Sequence, residues 1–343
     1  MDNYYFENII KNKYKDTKIK KIFLENRLEY LNINRILENI HKKIYSDNKK
    51  LTVYNFKKNN NYILKEYIIL NNEKQHHFIL NNDENIILTT SLLVNTILFE
   101  WIIKKILNQG HYLELIYTKN IFKKKNKLYS IQEFFSFDLL KYVKNKNKNY
   151  KFNLLIIVLI IFRVIYTIYF LQKKLKFVHN DLGINNIGLK PLNELDSFTK
   201  LIKVDNKTYN LTLYKFYVKI FDFEFSECNL GDNKIMPIIY NTDMYEKTYG
   251  ITKEFNPFYD IYTFLYDLKN KIKKYQKIKI TKIKLIKKIF KSYDIDKSKF
   301  MKNKRPKLSS NPLNLDPKYD YIKKHEDVLK LMIDDENIRK FIN

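Results

Sequence analysis

The sequence predicts an α+β fold, in which a small antiparallel sheet with one helix precedes a larger and mostly helical region. Residues 51–88 contain short runs rich in Ile, Tyr and Val, broken by Asn clusters that favour turns. Residues 154–171 form a long apolar run, and helical patterns dominate after residue 256. The predicted domains are an N-terminal helical extension, a sheet region and a helical region, at residues 1–50, 51–135 and 136–343.

Composition indicates a globular protein. The chain has 343 residues, of which 45% are hydrophobic, and this is enough to bury a sizeable core in two domains. The single cysteine, Cys228, excludes an internal disulfide and a cysteine-cluster metal site. Because the first residues lack the basic start and apolar run of a secretory signal, we expect an intracellular, cytoplasmic protein.

The formal net charge of +27 has two interpretations. Clustered Lys and Arg attract the phosphates of nucleic acids. However, Lys, Asn, Ile, Tyr and Phe are all abundant and all have AT-rich codons, which favours a solvated lysine surface. The basic runs are scattered, at residues 123–125, 144–151 and 269–291. A nucleic-acid partner therefore stays open but is not favoured, whereas the positive field would attract an anionic ligand such as ATP.

Helical and strand patterns alternate in the first half of the chain. Residues 1–50 have apolar positions at helical spacing, with Ile40 among the last, and predict helix. Thr89 or Thr90 is a suitable N-cap for a helix that would end at Gly110. Two further strands and the basic turn that joins them are predicted at residues 111–118, 127–133 and 123–125.

A long apolar helix is the main feature of the second half. Residues 154–171 approach the length of a membrane span, but Arg163 near the middle would make a span costly. We therefore expect a buried core helix and no membrane insertion. The other predicted elements are a short helix, two strands and a final helix, at residues 137–144, 210–214, 216–221 and 326–341.

Two polar motifs in this half carry the candidate chemistry. One short loop holds His179, Asp181 and Asn186, and Asp222 follows an apolar run about forty residues later. Phosphoryl transfer needs one carboxylate that receives the proton of the attacking hydroxyl, and an amide and a second carboxylate that hold magnesium on the phosphates. The alternative is a turn in which Asp181 and Asn186 only bond the backbone.

These motifs resemble those of the protein-kinase-like superfamily, in the style of divergent kinases encoded by large AT-rich DNA viruses. His-Asn-Asp-Leu at residues 179–182, with Asn186, resembles the catalytic loop His-Arg-Asp-Leu-x-x-x-Asn. Asp-Phe-Glu at residues 222–224 resembles Asp-Phe-Gly. The resemblance implies a bilobal fold, with residues 51–135 as a small N-lobe and residues 136–343 as a helical C-lobe.

The resemblance also implies ATP and Mg²⁺ as cofactors and a role for each polar residue of the loop. Asp181 is implied as the catalytic base, and Asn186 and Asp222 are implied as Mg²⁺ ligands. His179 would support the loop, and Asp260 would bond its backbone. For Asp260 the alternative is a helix N-cap.

The nucleotide-binding residues are implied by the same resemblance. Tyr-Ile-Leu-Lys, which ends at Lys65, resembles the third strand whose lysine holds the phosphates, and Glu100 is its best helix partner. Glu73 and Glu84 are rivals of Glu100, and a plain surface lysine is the alternative for Lys65. The residues implied to bind the adenine edge through their backbone are Gln132, Glu133 and Phe134.

Departures from the kinase pattern leave the activity open. No glycine precedes Lys65, although residues 59–61, all Asn, could replace a glycine-rich phosphate turn. Asn180 stands in place of the usual Arg, and Gly183 stands where Ser/Thr kinases carry a lysine. The implied function is a kinase, most simply a Ser/Thr-type protein kinase acting on a protein hydroxyl. The alternatives are a pseudokinase interaction module and a small-molecule kinase of the choline or aminoglycoside type, favoured also by Glu224.

Overall fold

A computed structural model describes most of the chain after residue 39. The described residues are 40–47, 51–56, 61–68, 78–81, 86–89, 92–108, 110, 113–124, 127–145, 150–192, 198–230, 233–237, 255, 257–293 and 321–342. Their helices and largely antiparallel sheets confirm the predicted α+β class.

The elements are numbered in chain order. The strands are β1 (Ile40–Asp47), β2 (Leu51–Phe56), β3 (Tyr62–Ile68), β4 (Phe78–Asn81), β5 (Ile86–Thr89), β6 (Thr118–Lys124), β7 (Lys127–Glu133), β8 (Phe137–Asp138), β9 (Ile187–Pro191), β10 (Thr199–Val204), β11 (Lys207–Thr212), β12 (Phe216–Ile220), β13 (Cys228–Leu230) and β14 (Asn233–Pro237). The helices are α1 (Leu92–Asn108), α2 (Leu139–Val143), α3 (Leu154–Leu175), α4 (Tyr259–Gln276), α5 (Lys284–Ser292), α6 (Tyr321–Ile333) and α7 (Glu336–Arg339), with 3₁₀ turns at Ile184–Asn186 and Ile280–Lys282.

The chain divides into two compact units. Unit 1 comprises residues 1–111, 116–134 and 229–237, and unit 2 comprises residues 112–115, 135–228 and 238–343. Two segments belong to a different unit from their neighbours in the chain. Residues 229–237 belong with the first unit because β14 pairs with β5, and residues 112–115 belong with the second.

Unit 1 is built on an antiparallel sheet of five strands in the order β1-β2-β3-β7-β6. Leu64, Tyr129 and Ile131 form a buried apolar cluster on this sheet. A second sheet has the order β13-β14-β5-β4, in which β14 and β5 run parallel. Helix α1 packs against β6, β5 and β14. Helix α1 ends at Asn108, close to the predicted end at Gly110, which has φ +82° and whose N–H donates to Leu107 O at 3.1 Å.

Unit 2 is organised around α3, which contacts α4, α6 and β12. Asn153 caps its N-terminus by accepting a hydrogen bond from Leu155 N at 2.8 Å, and Lys176 ends it in the left-handed conformation. Within the described part of the chain, α3 is the one helix long and apolar enough to cross a membrane, and 83% of its most apolar window is buried. Arg163 lies buried on this helix, where it pairs with Glu114 and donates to Phe216 O at 2.6 Å.

Four predicted elements are wrong in position or type. The predicted N-terminal helix fails at residues 40–47, which form β1 because they pair with β2; the earlier part of that prediction lies outside the described residues. The strand predicted at residues 111–118 begins only at Thr118, and the basic run reaches into it. The helix predicted at residues 137–144 begins at Leu139 because Asp138 is its N-cap. The final helix begins at Tyr321 and is interrupted before α7.

Candidate functional site

The polar loop follows α3 and ends in the 3₁₀ turn before β9. Asn186 Nδ2 donates to the backbone oxygen of Asp181 at 2.8 Å and to its carboxylate Oδ2 at 3.0 Å. Asn186 is buried, whereas Asp181 is partly exposed. The bond between these two side chains orients the carboxylate and leaves it accessible from solvent. The structure therefore brings together two of the residues that the motif singled out.

Asp260, on the first turn of α4, anchors the start of the loop. Its two carboxylate oxygens accept hydrogen bonds from the backbone N–H groups of His179 at 2.7 Å and Asn180 at 2.9 Å. Burial raises the pKa of Asp260 to about 6, although His179 and the two hydrogen bonds oppose that rise. The N-cap alternative is wrong, because Phe258 occupies the N-cap position of α4 and Asp260 bonds the loop instead.

Phe221 connects the loop to Asp222. The N–H of Phe221 donates to Asn186 O at 3.1 Å, and His179 Nε2 lies 3.0 Å from Phe221 O. Since a carbonyl oxygen only accepts, Nε2 of His179 carries the proton. Both backbone groups of Phe221 are therefore bonded to residues of the loop, and Asp222 is the next residue in the chain. These contacts place Asp181, Asn186 and Asp222 in one region of unit 2.

Two residues of this region have left-handed backbone conformations. Asn180 has φ +64° and Asp222 has φ +72°. Asn and Asp tolerate this conformation better than other residues that have a Cβ, and such conformations gather at functional sites. The Asn180 side chain also donates to Phe225 O at 3.1 Å, so it ties the loop to the segment after Asp222. The departure from Arg at this position therefore has a structural use.

The donor atoms of this region suit a magnesium ion that is completed by phosphate and water. Among the described residues, no group of three or more His, Cys, Asp or Glu side chains could hold a metal by itself. Asn186 Oδ1 accepts one bond, from Asn185 Nδ2 at 3.0 Å, and a carbonyl oxygen has a second lone pair. Mg²⁺ prefers such oxygen ligands and binds through one or two carboxylates plus phosphates. Asn186 and Asp222 match that donor set.

In unit 1, Lys65 on β3 meets Glu100 on α1. Lys65 Nζ lies 3.9 Å from Glu100 Oε1, and the two side chains are 16% and 2% exposed. Lys65 is therefore not a plain surface lysine. Ser130 Oγ donates to Glu100 Oε2 at 2.7 Å, and Tyr67 OH lies 3.4 Å from Oε1. Burial raises the pKa of Glu100, while Lys65 acts in the opposite direction. The rivals of Glu100, at positions 73 and 84, lie outside the described residues.

The segment predicted to bind adenine uses its N–H groups within unit 1. Glu133 N donates to Tyr117 O at 2.9 Å, and Phe134 N donates to Asn61 O at 2.8 Å. Gln132 is fully buried, and its Nε2 lies 3.3 Å from Thr118 Oγ1. An adenine edge bound at this segment would therefore have to use other backbone groups than these two donors.

The asparagine run suggested as a replacement for a glycine-rich turn directly precedes β3. Asn61 sits between β2 and β3, and its carbonyl oxygen is bonded to the Phe134 N–H. The other two asparagines of that run lie outside the described residues. The Asn61 carbonyl is therefore tied to the 132–134 segment, and the phosphate-binding role of this turn stays a prediction.

Sequence reasoning missed an aromatic pair beside the loop. Phe135 stacks on Phe221 with ring centroids 4.6 Å apart, and Phe135 is partly exposed. Gly188 of β9 makes room for this ring, because a Cβ at Gly188 would lie 2.5 Å from Phe135 Cγ. A glycine inside a strand often marks such a close approach. Because only five glycines occur in the chain, Gly188 was the sequence feature that could have predicted this contact.

Comparison of sequences suggests a kinase-like relationship. The chain is similar to a protein of Dictyostelium discoideum named as a probable serine/threonine-protein kinase, with 33% identity over 132 residues. The match covers 37% of this chain and 10% of that protein. No family model matches the chain.

Proposed function

We propose that the protein is an ATP- and Mg²⁺-dependent phosphotransferase of kinase-like type, which transfers the γ-phosphate of ATP to a hydroxyl. The observation that carries the proposal is the hydrogen bond from Asn186 to the Asp181 carboxylate, within a loop whose backbone Asp260 holds. That arrangement fixes a carboxylate where it can orient a hydroxyl and receive its proton.

Each remaining polar residue has a proposed part in this chemistry. Asn186 and Asp222 would hold Mg²⁺, which supplies charge neutralisation on the phosphates when it is bound. Lys65, held near Glu100 in unit 1, is the proposed contact of the α- and β-phosphates. Asp260 would hold the loop backbone, and His179 would hold the carbonyl of Phe221 beside Asp222. A Ser/Thr-type protein acceptor, a cytoplasmic location and a viral-type origin are further expectations, and the relative named above supports only the kinase-like part.

A small-molecule acceptor is a second candidate, favoured by the surroundings of Gly183. A Cβ built on Gly183 would lie 2.7 Å from Asn185 Oδ1 and 3.6 Å from Asp267 Oδ2. The lysine that Ser/Thr kinases carry at this position would therefore require Asn185 to move. An amide and a carboxylate occupy that place instead, which suits an acceptor other than the usual protein hydroxyl.

Nucleotide binding and turnover test the proposal in two stages. A thermal-shift titration should show that Mg²⁺ and ATP together raise the melting temperature, since a ligand at about 100 times its Kd stabilises the native state by about 2.7 kcal/mol. Radiolabelled ATP is then offered with a protein mixture and, separately, with choline and aminoglycosides. Label in protein alone supports the first acceptor class, and label in the small molecules alone supports the second.

Two substitutions tie any activity to this region, and a third serves as the control. Asp181→Asn and Asp222→Asn should each lower turnover by at least about a hundredfold, because each removes a carboxylate from the proposed reaction. Asp205→Asn is the matched control, since Asp205 lies in the turn of the β10–β11 hairpin at φ +57°, where Asn is equally tolerated. Nucleotide binding with no label transfer to any acceptor would support the pseudokinase alternative. If Asp181→Asn and Asp222→Asn kept the same turnover as Asp205→Asn, this site would be excluded.

A further inference from the structure

One segment of unit 2 has a charge that the kinase-like chemistry does not use. Residues 269–291 contain eleven lysines and no Asp or Glu, whereas Lys and Arg together are 64 of the 343 residues in the whole chain. The biased composition of the chain therefore does not account for this segment, which exceeds it more than twofold. We name its exposed members the lysine surface: Lys273, Lys274, Lys277, Lys279, Lys282, Lys284, Lys287, Lys288 and Lys291.

The fold gathers these lysines on one side of each element. In α5, Lys284, Lys287, Lys288 and Lys291 follow the spacing that places side chains on one helix face. The opposite face is buried, through Leu285, Ile286, Ile289 and Phe290. A short 3₁₀ turn joins α4 to α5, and both helices contact it. The exposed lysines of α4 and α5 therefore lie on neighbouring elements.

Tyr275 lies among these positive charges at the end of α4. Lys144 Nζ and Lys274 Nζ each lie 5.3 Å from the centroid of its ring. Desolvation, the largest single cause, would raise the pKa of Tyr275, but Lys144, Lys274 and Lys271 together outweigh it and lower that pKa. Gln276 Nε2 donates to Val143 O at 2.6 Å, so the end of α4 is fixed against α2. The ring is partly exposed.

We propose that the lysine surface binds the phosphate backbone of single-stranded nucleic acid. Lysines supply the phosphate contacts, and a partly exposed aromatic ring beside them can stack on a base. A membrane surface is less well matched, because the apolar side chains of α5 are packed inside the protein and cannot enter lipid. Among the described residues, the exposed large apolar side chains are Phe198 and Leu201, and both lie at the β10–β11 hairpin.

The test compares two variants that change the net charge equally. The full chain is titrated into a fluorescein-labelled oligonucleotide of about 20 nucleotides, at several salt concentrations, with anisotropy as the readout. The surface variant carries K284Q, K287Q, K288Q and K291Q. The control carries K174Q, K203Q, K207Q and K340Q, which remove four exposed lysines of the same unit outside the segment.

The native chain should bind with steep salt dependence, and the surface variant should bind more weakly and with a shallower salt dependence. Loss of four phosphate contacts lowers the slope of log K against log salt by about 3, since each contributes about 0.7 with single strands. Affinity at low salt should fall by at least about tenfold in the surface variant and by less than about threefold in the control. Y275L should weaken binding without changing the slope.

Three outcomes would overturn the proposal: no binding by the native chain, equal losses in both charge variants, or tighter binding to phosphatidylserine vesicles that the oligonucleotide does not displace. D181N and D222N should bind the oligonucleotide as the native chain does. The proposal therefore stands or falls separately from the phosphotransferase activity.

Discussion

Gly188 faces the ring of Phe135 so closely that a Cβ on Gly188 would come within 2.5 to 2.9 Å of three atoms of that ring. The same ring stacks on Phe221, the residue before Asp222. A side chain added at Gly188 therefore has to displace Phe135, and the displacement would disturb the start of the Asp-Phe-Glu segment. The absence of a Cβ at one strand position thus has consequences for the candidate site.

Gly188→Ala should lower the free energy of unfolding by about 1 to 3 kcal/mol, because the added methyl overpacks the contact with Phe135. Phe135→Ala removes the obstacle, so the double variant should be more stable than the sum of the two single changes predicts. We expect a coupling of about 1 kcal/mol or more in a double-mutant cycle measured by urea denaturation. Additive losses would show that Phe135 is not what restricts position 188.

The Lys65–Glu100 pair predicts a destabilisation that depends on pH. Lys65→Met leaves a buried carboxylate without its cation, and at pH 7 this should cost about 2 to 3 kcal/mol of unfolding free energy. Burial already raises the pKa of Glu100, and loss of Lys65 raises it further. A carboxyl with a raised folded-state pKa is destabilising when ionised, so the cost should shrink as the pH falls towards 5.

A matched control for this pair exists on the same sheet. Lys127 Nζ lies 2.9 Å from Glu66 Oε1, but the Lys127 side chain is 43% exposed. Lys127→Met should therefore cost less than about 1 kcal/mol, as exposed ion pairs generally do. Equal losses of unfolding free energy for Lys65→Met and Lys127→Met, measured by chemical denaturation, would contradict the prediction that the buried Glu100 depends on Lys65.

Asp260 predicts a loss of stability as the pH rises from about 4 to about 6. Its carboxyl has a pKa near 3.9 when unfolded and about 6 in the folded protein, chiefly because of burial. The folded state therefore holds the proton more tightly. The bound proton adds on the order of 3 kcal/mol to the free energy of unfolding, and this contribution is lost as the pH passes the folded-state pKa. Asp260→Asn lacks this titration. The difference in unfolding free energy between native and variant should change across that pH interval and stay constant above it.

For His325 we expect the opposite pH dependence of the unfolding free energy, in nearly the same pH interval. Burial lowers its pKa to about 4 from an ordinary value near 6.5. Its Nδ1 lies 2.7 Å from Tyr293 OH and its Nε2 lies 3.0 Å from Gln172 Oε1, which suits the neutral ring. Stability from this group is complete above about pH 6.5 and is lost as the pH falls towards 4, on the order of 3 kcal/mol.

The effects of Asp260 and His325 should largely cancel in the native protein, so variants are needed to separate them. His325→Gln removes the histidine titration, and its unfolding free energy should fall more steeply with rising pH between 4 and 6 than that of the native chain. Asp260→Asn should show the reverse. Parallel pH profiles for native protein and both variants would refute the two assigned pKa shifts.

Local sequence was sufficient where one segment decides its own structure. The apolar run that forms α3, and the left-handed glycine just after α1, depend on neighbours within a turn or two. The loop motif was also visible, because the spacing of Asp181 and Asn186 permits their hydrogen bond inside a single turn. These features follow from short-range hydrogen bonding and from side-chain type.

Contacts between distant segments were decided only by the tertiary structure. The apolar positions of residues 1–50, with Ile40 among the last, have helical spacing, but pairing with β2 made residues 40–47 a strand. The parallel pairing of β14 with β5 joins residues more than a hundred positions apart, and no local sequence pattern predicts this pairing. The approach of Phe135 to Gly188 likewise needed the fold. Residue order determines local conformation and the available chemistry, whereas the burial of whole faces selects which remote groups meet.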